Sequence, residues 1–377
     1  NGNSTISTEN AALTLVFADS TRGWLNVNDS TTVEGASLIT ATGGTITTVC
    51  TNFKVHTFTG PGTFQVTAGA GPLAVVDYLV IAGGGSGGRY AGGGGGAGGY
   101  RESKVAATSG CWTASPLAAT SSLGPFGPGA VPVTVGAGGT GKGPGAYVNG
   151  FGSNSIFSTI TSVGGGDGGM NNSPGQVRPV TKGSNGTPST STYVGGEGGS
   201  GGGGGFFTNV GGLGNEPPVS PPQGNSGGNA RPGGSSGLPA GGGGAGAVGS
   251  NGATPGSPGV QAPGGIGSFI DANFIGPTAP SYGEAGPVSN TRYFAGGGGG
   301  GGNGQPPAGG GIGGGGNGGG SSSSPPVPTT ERTGEAGTAN TGGGGGGSGE
   351  QHGPSGGPCR TGGAGGSGIV LIRYKFQ

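Results

Sequence analysis

Gly83-Gly84-Gly85-Ser86-Gly87-Gly88-Arg89-Tyr90-Ala91-Gly92-Gly93-Gly94-Gly95-Gly96-Ala97-Gly98-Gly99 is the stretch on which the fold turns. It cannot be a helix, because each interior glycine costs about 1 kcal/mol relative to alanine. It is not collagen, which needs glycine at every third position and tolerates no irregular spacer. Similar runs recur at Gly201–Gly205 and Gly342–Gly347, and 109 of the 377 residues are glycine, with 29 prolines besides. Such composition alone reads as low-complexity chain. The ordered alternative is a packed array of extended, polyproline-II-like segments. That helix has no internal hydrogen bonds, so each amide must find its partner on an adjacent segment. Fully extended at ~3.1 Å per residue, Gly83 to Gly99 reaches on the order of 50 Å.

The apolar stretches outside the runs all read as strands: Leu13–Phe17, Phe53–Phe58, Phe64–Thr67, Val75–Ala82, Val131–Val135, Ile156–Val163 and Ile369–Phe376. The best helix candidate is Arg101–Thr108, two turns at most. The expected fold is mostly β: small antiparallel β modules plus a large glycine-rich lobe of packed polyglycine-II segments, with almost no helix. Residues 1–43 form a small N-terminal β module, and 44–377 a glycine-rich domain framed by strands 75–82 and 369–376. In the last strand Val370, Ile372, Tyr374 and Phe376 share one face, expected to be buried. Ile369, Leu371, Arg373 and Lys375 share the other, expected to meet solvent. Pairing of the two framing strands makes nearly all the glycine-rich chain an excursion that leaves a small sheet and returns to it.

Only 29% of residues are hydrophobic and 7% charged, with 14 basic against 14 acidic side chains. That balance supplies no basic patch for nucleic acid. No apolar run approaches the ~20 residues that span a bilayer, so membrane insertion is not expected. Asn1 opens no signal-peptide pattern, which leaves secretion after cleavage of such a signal open. Cys50, Cys111 and Cys359 are odd in number and include no CxxC pair, which argues against a zinc site or a disulfide framework. The sequons at Asn3, Asn28, Asn171 and Asn185 matter only in a glycosylating cell.

Chemistry-bearing motifs are weak. Gly83-x-Gly85-x-x-Gly88 and Gly136-x-Gly138-x-x-Gly141 follow strands as a dinucleotide fingerprint should, but three fixed glycines recur by chance at this composition, and no helix can follow. Gly136 to Lys142 comes within one residue of a P-loop, yet Gly143 stands where a Ser or Thr should hold magnesium, so Lys142 is expected to be solvated at a glycine turn. Gly84-x-Ser86-x-Gly88 imitates a nucleophile elbow but lacks a histidine base. His56 is read as an exposed strand residue, and His352 lies in a Gly/Pro loop. No enzyme, cofactor or metal site is expected.

Aromatic residues stand where glycine runs end. Tyr90, Phe206, Phe207 and Tyr282, with Glu284 beside the last, are candidate surface contacts. The alternative is that the aromatics plug the lattice ends.

Ordered blocks carry a resemblance. Gly60-Pro61-Gly62-Thr63-Phe64 leads into Val76-Asp77-Tyr78-Leu79-Val80-Ile81-Ala82. Then come Gly99-Tyr100-Arg101-Glu102-Ser103-Lys104, Trp112-Thr113-Ala114-Ser115-Pro116-Leu117, Gly152-Ser153-Asn154-Ser155-Ile156-Phe157, Pro217 to Asn225, Arg292-Tyr293-Phe294-Ala295 and Gly366 to Tyr374. In content and order these blocks resemble the glycine-rich domains of tail-fibre-like virion proteins of tailed bacteriophages, over roughly residues 44–377. Leu13 to Val27 resembles the small module placed before it. The resemblance implies a noncatalytic appendage on the virion surface. Its expected partners are other virion or fibre subunits and a host cell-surface glycan or protein, and a homo-oligomer suits a fibre although no heptads specify one. A structural filament subunit that recognises nothing is the alternative.

Overall fold

The computed structural model describes residues 13–19, 23–29, 37–104, 112–143, 150–170, 194–206, 210–231, 238–252, 262–302, 307–320, 332–349 and 361–377. The strands in chain order are β1 (Leu13–Asp19), β2 (Gly23–Asp29), β3 (Ser37–Thr42), β4 (Thr45–Val49), β5 (Phe53–Phe58), β6 (Gly62–Ala70), β7 (Asp77–Ile81) and β8 (Tyr100–Ser103). They continue with β9 (Ala118–Ala119), β10 (Gly129–Thr134), β11 (Ser155–Phe157), β12 (Ile160–Ser162), β13 (Ser268–Asp271), β14 (Glu284–Ala285), β15 (Thr291–Phe294) and β16 (Ile369–Lys375). The one α-helix among the described residues, α1, is the single turn Ala272–Ile275.

A six-stranded sheet in the order β4-β5-β16-β7-β8-β9 is the centre of the molecule. As the sequence leads one to expect, β16 pairs antiparallel with β7, setting Ile369 opposite Ile81 and Leu371 opposite Leu79. On its other side it pairs with β5, which makes it a fully flanked central strand. Val370, Ile372 and Tyr374 face Phe64, Val66, Val133 and Phe157 of a second, five-stranded sheet, β12-β11-β10-β6-β3. The other face, Ile369, Leu371, Arg373 and Lys375, meets solvent only at Lys375. Ile369 and Leu371 pack against Ile270, Phe274 and Phe294 from a three-stranded sheet, β13-β15-β14, and from α1. Arg373, expected outside, is 1% exposed, with its guanidinium 4.4 Å from the Phe53 ring centroid and Nη1 donating to the Asn273 carbonyl at 2.7 Å. A long apolar stem with a stacking planar head lets arginine occupy such a layer.

Three local expectations change. Arg101–Thr108 does not begin a helix: Tyr100–Ser103 is strand β8, paired with β7, since a ready sheet edge outweighs a weak local propensity. Residues 105–108 lie outside the described residues. Ile156–Val163 is a hairpin, β11 to β12, turned at Ser158 with φ +53°. β3 lies beside β6 in the five-stranded sheet, while among the described residues β1 and β2 pair only with each other.

The glycine-rich chain leaves β7 and folds into a lattice whose hydrogen bonds repeat every three residues. Gly83 N–H donates to Ser153 and Ser86 to Gly150; Gly84 donates to Gly366 and Gly87 to Gly363; Gly85 donates to Gly96 and Gly88 to Gly93. Meanwhile the Gly83 and Ser86 carbonyls accept from Gly165 and Gly168, those of Gly85 and Gly88 from Gly345 and Ser348, and that of Gly84 from Gly139. This one segment therefore has six neighbours, three antiparallel ones to which it donates and three others from which it accepts. The returning segment repeats the pattern: Gly92, Gly95 and Gly98 donate to Ser348, Gly345 and Gly342, while Gly93, Gly96 and Gly99 donate to Gly169, Gly166 and Val163. A three-residue helix with all its hydrogen bonds to neighbours is the polyglycine-II arrangement.

Glycine is obligatory in the middle of this packing. A Cβ at Gly84 would lie 2.1 Å from the Gly343 carbonyl oxygen, and one at Gly87 1.9 Å from that of Gly346. The excursion from Gly83 to Gly99 is not one extended run. Tyr90 and Ala91, at φ +53° and +48°, reverse it, which halves the expected reach.

Candidate contact surface

Lattice direction divides the molecule into two ends. At the near end, beside the sheets, Asp271 caps α1: its Oδ1 accepts from Asn273 N–H and from Asn290 Nδ2, both at 2.9 Å. The helix stops at Gly276, φ +84°, where a Cβ would sit 2.4 Å from Val49 Cγ2. That close approach lays the 276–292 segment against the tip of the β4–β5 hairpin. Cys50 and Thr51 form this tip with φ +48° and +60°. Between the two lies a groove of about 630 Å³ whose walls include Val49, Cys50, Asn273, Pro280, Val288 and Arg292. Val288 is exposed, and the Cys50 thiol is free and exposed. Arg373 sits behind Cys50, where burial pulls its pKa down against the opposing influence of Cys50, Asp77 and Asp271.

Two of the candidate contacts stand at this end. Tyr282 is half-buried against the core beneath β16, and its carbonyl accepts from Arg292 Nε at 2.7 Å. Arg292 Nη2 also donates to the Gly283 carbonyl at 2.7 Å, so this cation holds the loop in shape. Glu284 is exposed, but its Oε2 accepts from the Gly313 and Gly314 N–H groups at 2.8 and 2.9 Å. Those glycines have φ +109° and +88°, and the successive amides cradle a carboxylate as an anion nest does.

Tyr90 and Phe206 meet at the far end, where Phe206 N–H donates to the Ala91 carbonyl. Tyr90 is half-buried, its N–H bonded to Ser348 Oγ at 2.8 Å and its ring 5.1 Å from the Arg89 guanidinium. Phe206 is 4% exposed, which corrects its reading as a surface contact: it plugs the lattice. Phe207 lies outside the described residues, as do Cys111, Cys359, His352 and the sequons at Asn3, Asn171 and Asn185. Apart from the N-terminal hairpin and from Lys104, which follows β8 at the sheets, the chain passes out of the described residues at Gly143, Met170, Phe206, Arg231, Gly252, Gly302, Gly320 and Gly349. Cross-segment bonds tie most of these positions to this same end: Gly93 to Gly169, Gly301 to Gly92, Gly302 to Gly319, Gly349 to Arg332, and Gly204 to Gly228, whose segment is bonded in turn through Gly252 to Asn229.

Inside the molecule lie three buried polar groups, two of which depart from the sequence reading. His56 is buried rather than exposed. Its Nδ1 donates to the Gly43 carbonyl at 2.7 Å and its Nε2 lies 3.1 Å from the Tyr374 hydroxyl; burial lowers its pKa. Lys142 is not solvated: it forms a fully buried pair with Asp167, Nζ to Oδ2 2.6 Å. Glu102 accepts from Ser115 N–H and lies 2.9 Å from the Tyr100 hydroxyl, which is itself 2.7 Å from the Phe269 carbonyl. The Tyr100 hydroxyl is shared between these two acceptors, and Ser115 Oγ also donates to Glu102 Oε2, at 2.5 Å. Burial pushes the Glu102 carboxyl up to about 7, against the lowering effect of the hydrogen bonds from Ser115 and Tyr100. Little in the sequence marked these three, since each is a single residue whose burial comes from other parts of the chain.

Among the described residues, no group of three His, Cys, Asp or Glu side chains could hold a metal ion, and no helix is long and apolar enough to cross a membrane. What the surface offers is shape, amides and apolar walls. The family model of the glycine-rich domain matches residues 57–375. No curated protein matches the chain.

Proposed function

For a chain that belongs to the glycine-rich domain family, we propose a noncatalytic role as a tail-fibre-like appendage protein at the surface of a bacteriophage virion. The lattice is its scaffold, and its ends present the contacts with the host. The observation that carries this reading is the convergence of so many segment ends on one face of a rigid array. Recognition is commonly borne by connections held on a rigid scaffold. The ordered blocks between the runs support the tail-fibre kind, and near-zero net charge suits a surface that discriminates by shape. The partners are other fibre subunits and a host-surface glycan or protein, and clustered copies turn weak contacts into firm adsorption through effective concentration.

Gold-labelled antibody against this chain should mark an appendage on intact particles, and the purified chain should bind host cells and slow adsorption of those particles. Label elsewhere on the particle, or none, removes the appendage. Correct label without cell binding removes the host contact.

A filament subunit is the second reading. It is favoured by Val210, Leu213, Val248 and Ile266, all exposed on segments joined by the bonds Gly227 to Gly212, Gly249 to Ser226 and Gly246 to Ile266. Sedimentation decides it: self-association abolished by Leu213→Ser and Val248→Ser supports a filament, and a monomer at every concentration removes it.

A further inference from the structure

The lattice holds an ion pair in its interior. Lys142 and Asp167 are both 0% exposed, with Nζ 2.6 Å from Oδ2. Nζ also donates to the Gly168 carbonyl at 3.2 Å, and Oδ2 accepts from Gly150 N–H at 3.1 Å. Two glycines make the space. A Cβ at Gly196 would lie 2.5 Å from Asp167 Oδ1, and one at Gly150 1.8 Å from Ser86 Oγ and 2.9 Å from Lys142 Cε. Ser86 is itself fully buried, and its hydroxyl has no hydrogen-bond partner among the described residues.

An ion pair is an uneasy occupant of such a place. Removing both charges from water has a desolvation penalty that Coulomb attraction offsets only with excellent geometry, and low polarity favours the neutral forms of both groups. Moving one proton from the ammonium to the carboxylate gives an amine beside a carboxylic acid. Cγ then lies no more than about 3.8 Å from Nζ, one C–O bond beyond Oδ2. That is close to the ~3–3.5 Å at which bound groups react.

We infer that Lys142 and Asp167 form an intramolecular isopeptide bond. The Nζ lone pair attacks Cγ and the C–N bond forms. The C–OH bond breaks, and the hydroxyl leaves with a proton from nitrogen as one molecule of water; no oxidant or other co-reactant is consumed. Gly150 N–H, bonded to Oδ2, stabilises negative charge developing on that retained oxygen, so that the hydroxyl that leaves is Oδ1 with the proton the carboxylate took up. Ser86 Oγ, beside the lysine stem, gives the departing water a hydrogen-bond partner. The cross-link ties the segment that ends at Lys142 to the one running from Val163 to Met170, independently of what the protein attaches to.

The test is the mass of the whole purified chain under denaturing conditions, followed by tryptic mapping. The expected mass is lower than the sequence mass by one water, with a branched peptide joining Lys142 to Asp167 and no cleavage after Lys142. Lys142→Arg, which keeps the charge but cannot form the amide, should return to its full sequence mass. Wild type at full mass, cut after Lys142, overturns the inference. So does a lost water with Lys142 still in a linear peptide, because that signature belongs to cyclisation of an aspartate onto its own backbone.

Discussion

The β-sandwich and the glycine lattice are held together by opposite means. Around β16 the chain coheres through side chains: Phe64 is fully buried with the rings of His56, Phe157, Tyr374 and Phe126 at 5.0, 5.8, 6.0 and 6.4 Å. In the lattice the side chain is missing, and cohesion comes from backbone bonds of 2.7 to 3.3 Å between segments distant in sequence. Each such bond contributes a net ~0.5–1.5 kcal/mol, against an ordering cost that glycine makes especially large. One region thus fails by becoming too small, the other by becoming too large.

Gly87→Val should be the most damaging single change, because its Cβ would meet the Gly346 carbonyl at 1.9 Å and neither backbone can move without breaking its other bonds. The expected loss exceeds the ~1–3 kcal/mol usual for overpacking, and circular dichroism with a folded-yield assay reads it. A variant as stable as wild type would break the contrast. Phe64→Ala should cost ~3–5 kcal/mol by denaturant titration, with the lattice amides keeping their order of hydrogen-exchange protection. If lattice and sandwich protection collapse together, the two regions are one cooperative unit.

Glu102 sharpens the comparison through pH. Its folded pKa, about 7, lies above the ordinary 4.5, so between these values the folded chain holds a proton that the unfolded chain has lost. Its stabilising effect is complete below about 4.5 and is lost as pH rises through about 7, on the order of 3 kcal/mol in all. His56 acts the other way. Its lowered pKa removes stability as pH falls below the usual 6.5. Wild type minus Glu102→Gln, measured from pH 5 to 8, should therefore show a falling stability difference, and a flat difference would mean that Glu102 is ionised in the fold. The smallest effect is expected at Gly60→Ala, where nothing lies within 4 Å and φ is not positive. Reduced freedom of the unfolded chain should leave it neutral or up to ~1 kcal/mol more stable; a thermal melt that drops instead would show that glycine is required for reasons other than space.

Sequence carried the lattice well, because runs such as Gly92–Gly96 admit so few ordered solutions. It also carried the β7–β16 pairing, the only match between comparably apolar strands. It failed where a residue's surroundings come from elsewhere in the chain. Alternation along β16 implied a wet face for Arg373, but α1 and β13 arrive from some hundred residues upstream to cover it. Lys142 read as solvated because its neighbours are glycine and proline, while Asp167 stands 25 residues away. For the contacts, Tyr90 and Phe206 were found as run-ending aromatics, but only the turn at Ala91 shows that they share one end. The groove left no local signature, being built from a hairpin tip and a segment more than two hundred residues apart.

The threefold repeat of donors along Gly83 to Gly88 also constrains how such a chain can change length. Each residue turns the helix by a third of a revolution, so inserting one glycine would aim every later amide at the wrong neighbour, as a frameshift misreads every later codon. Inserting three restores the phase and lengthens the segment by one full turn. Descendants of this sequence should therefore gain or lose glycine in steps of three within segments, and in steps of any size at the ends where segments reverse.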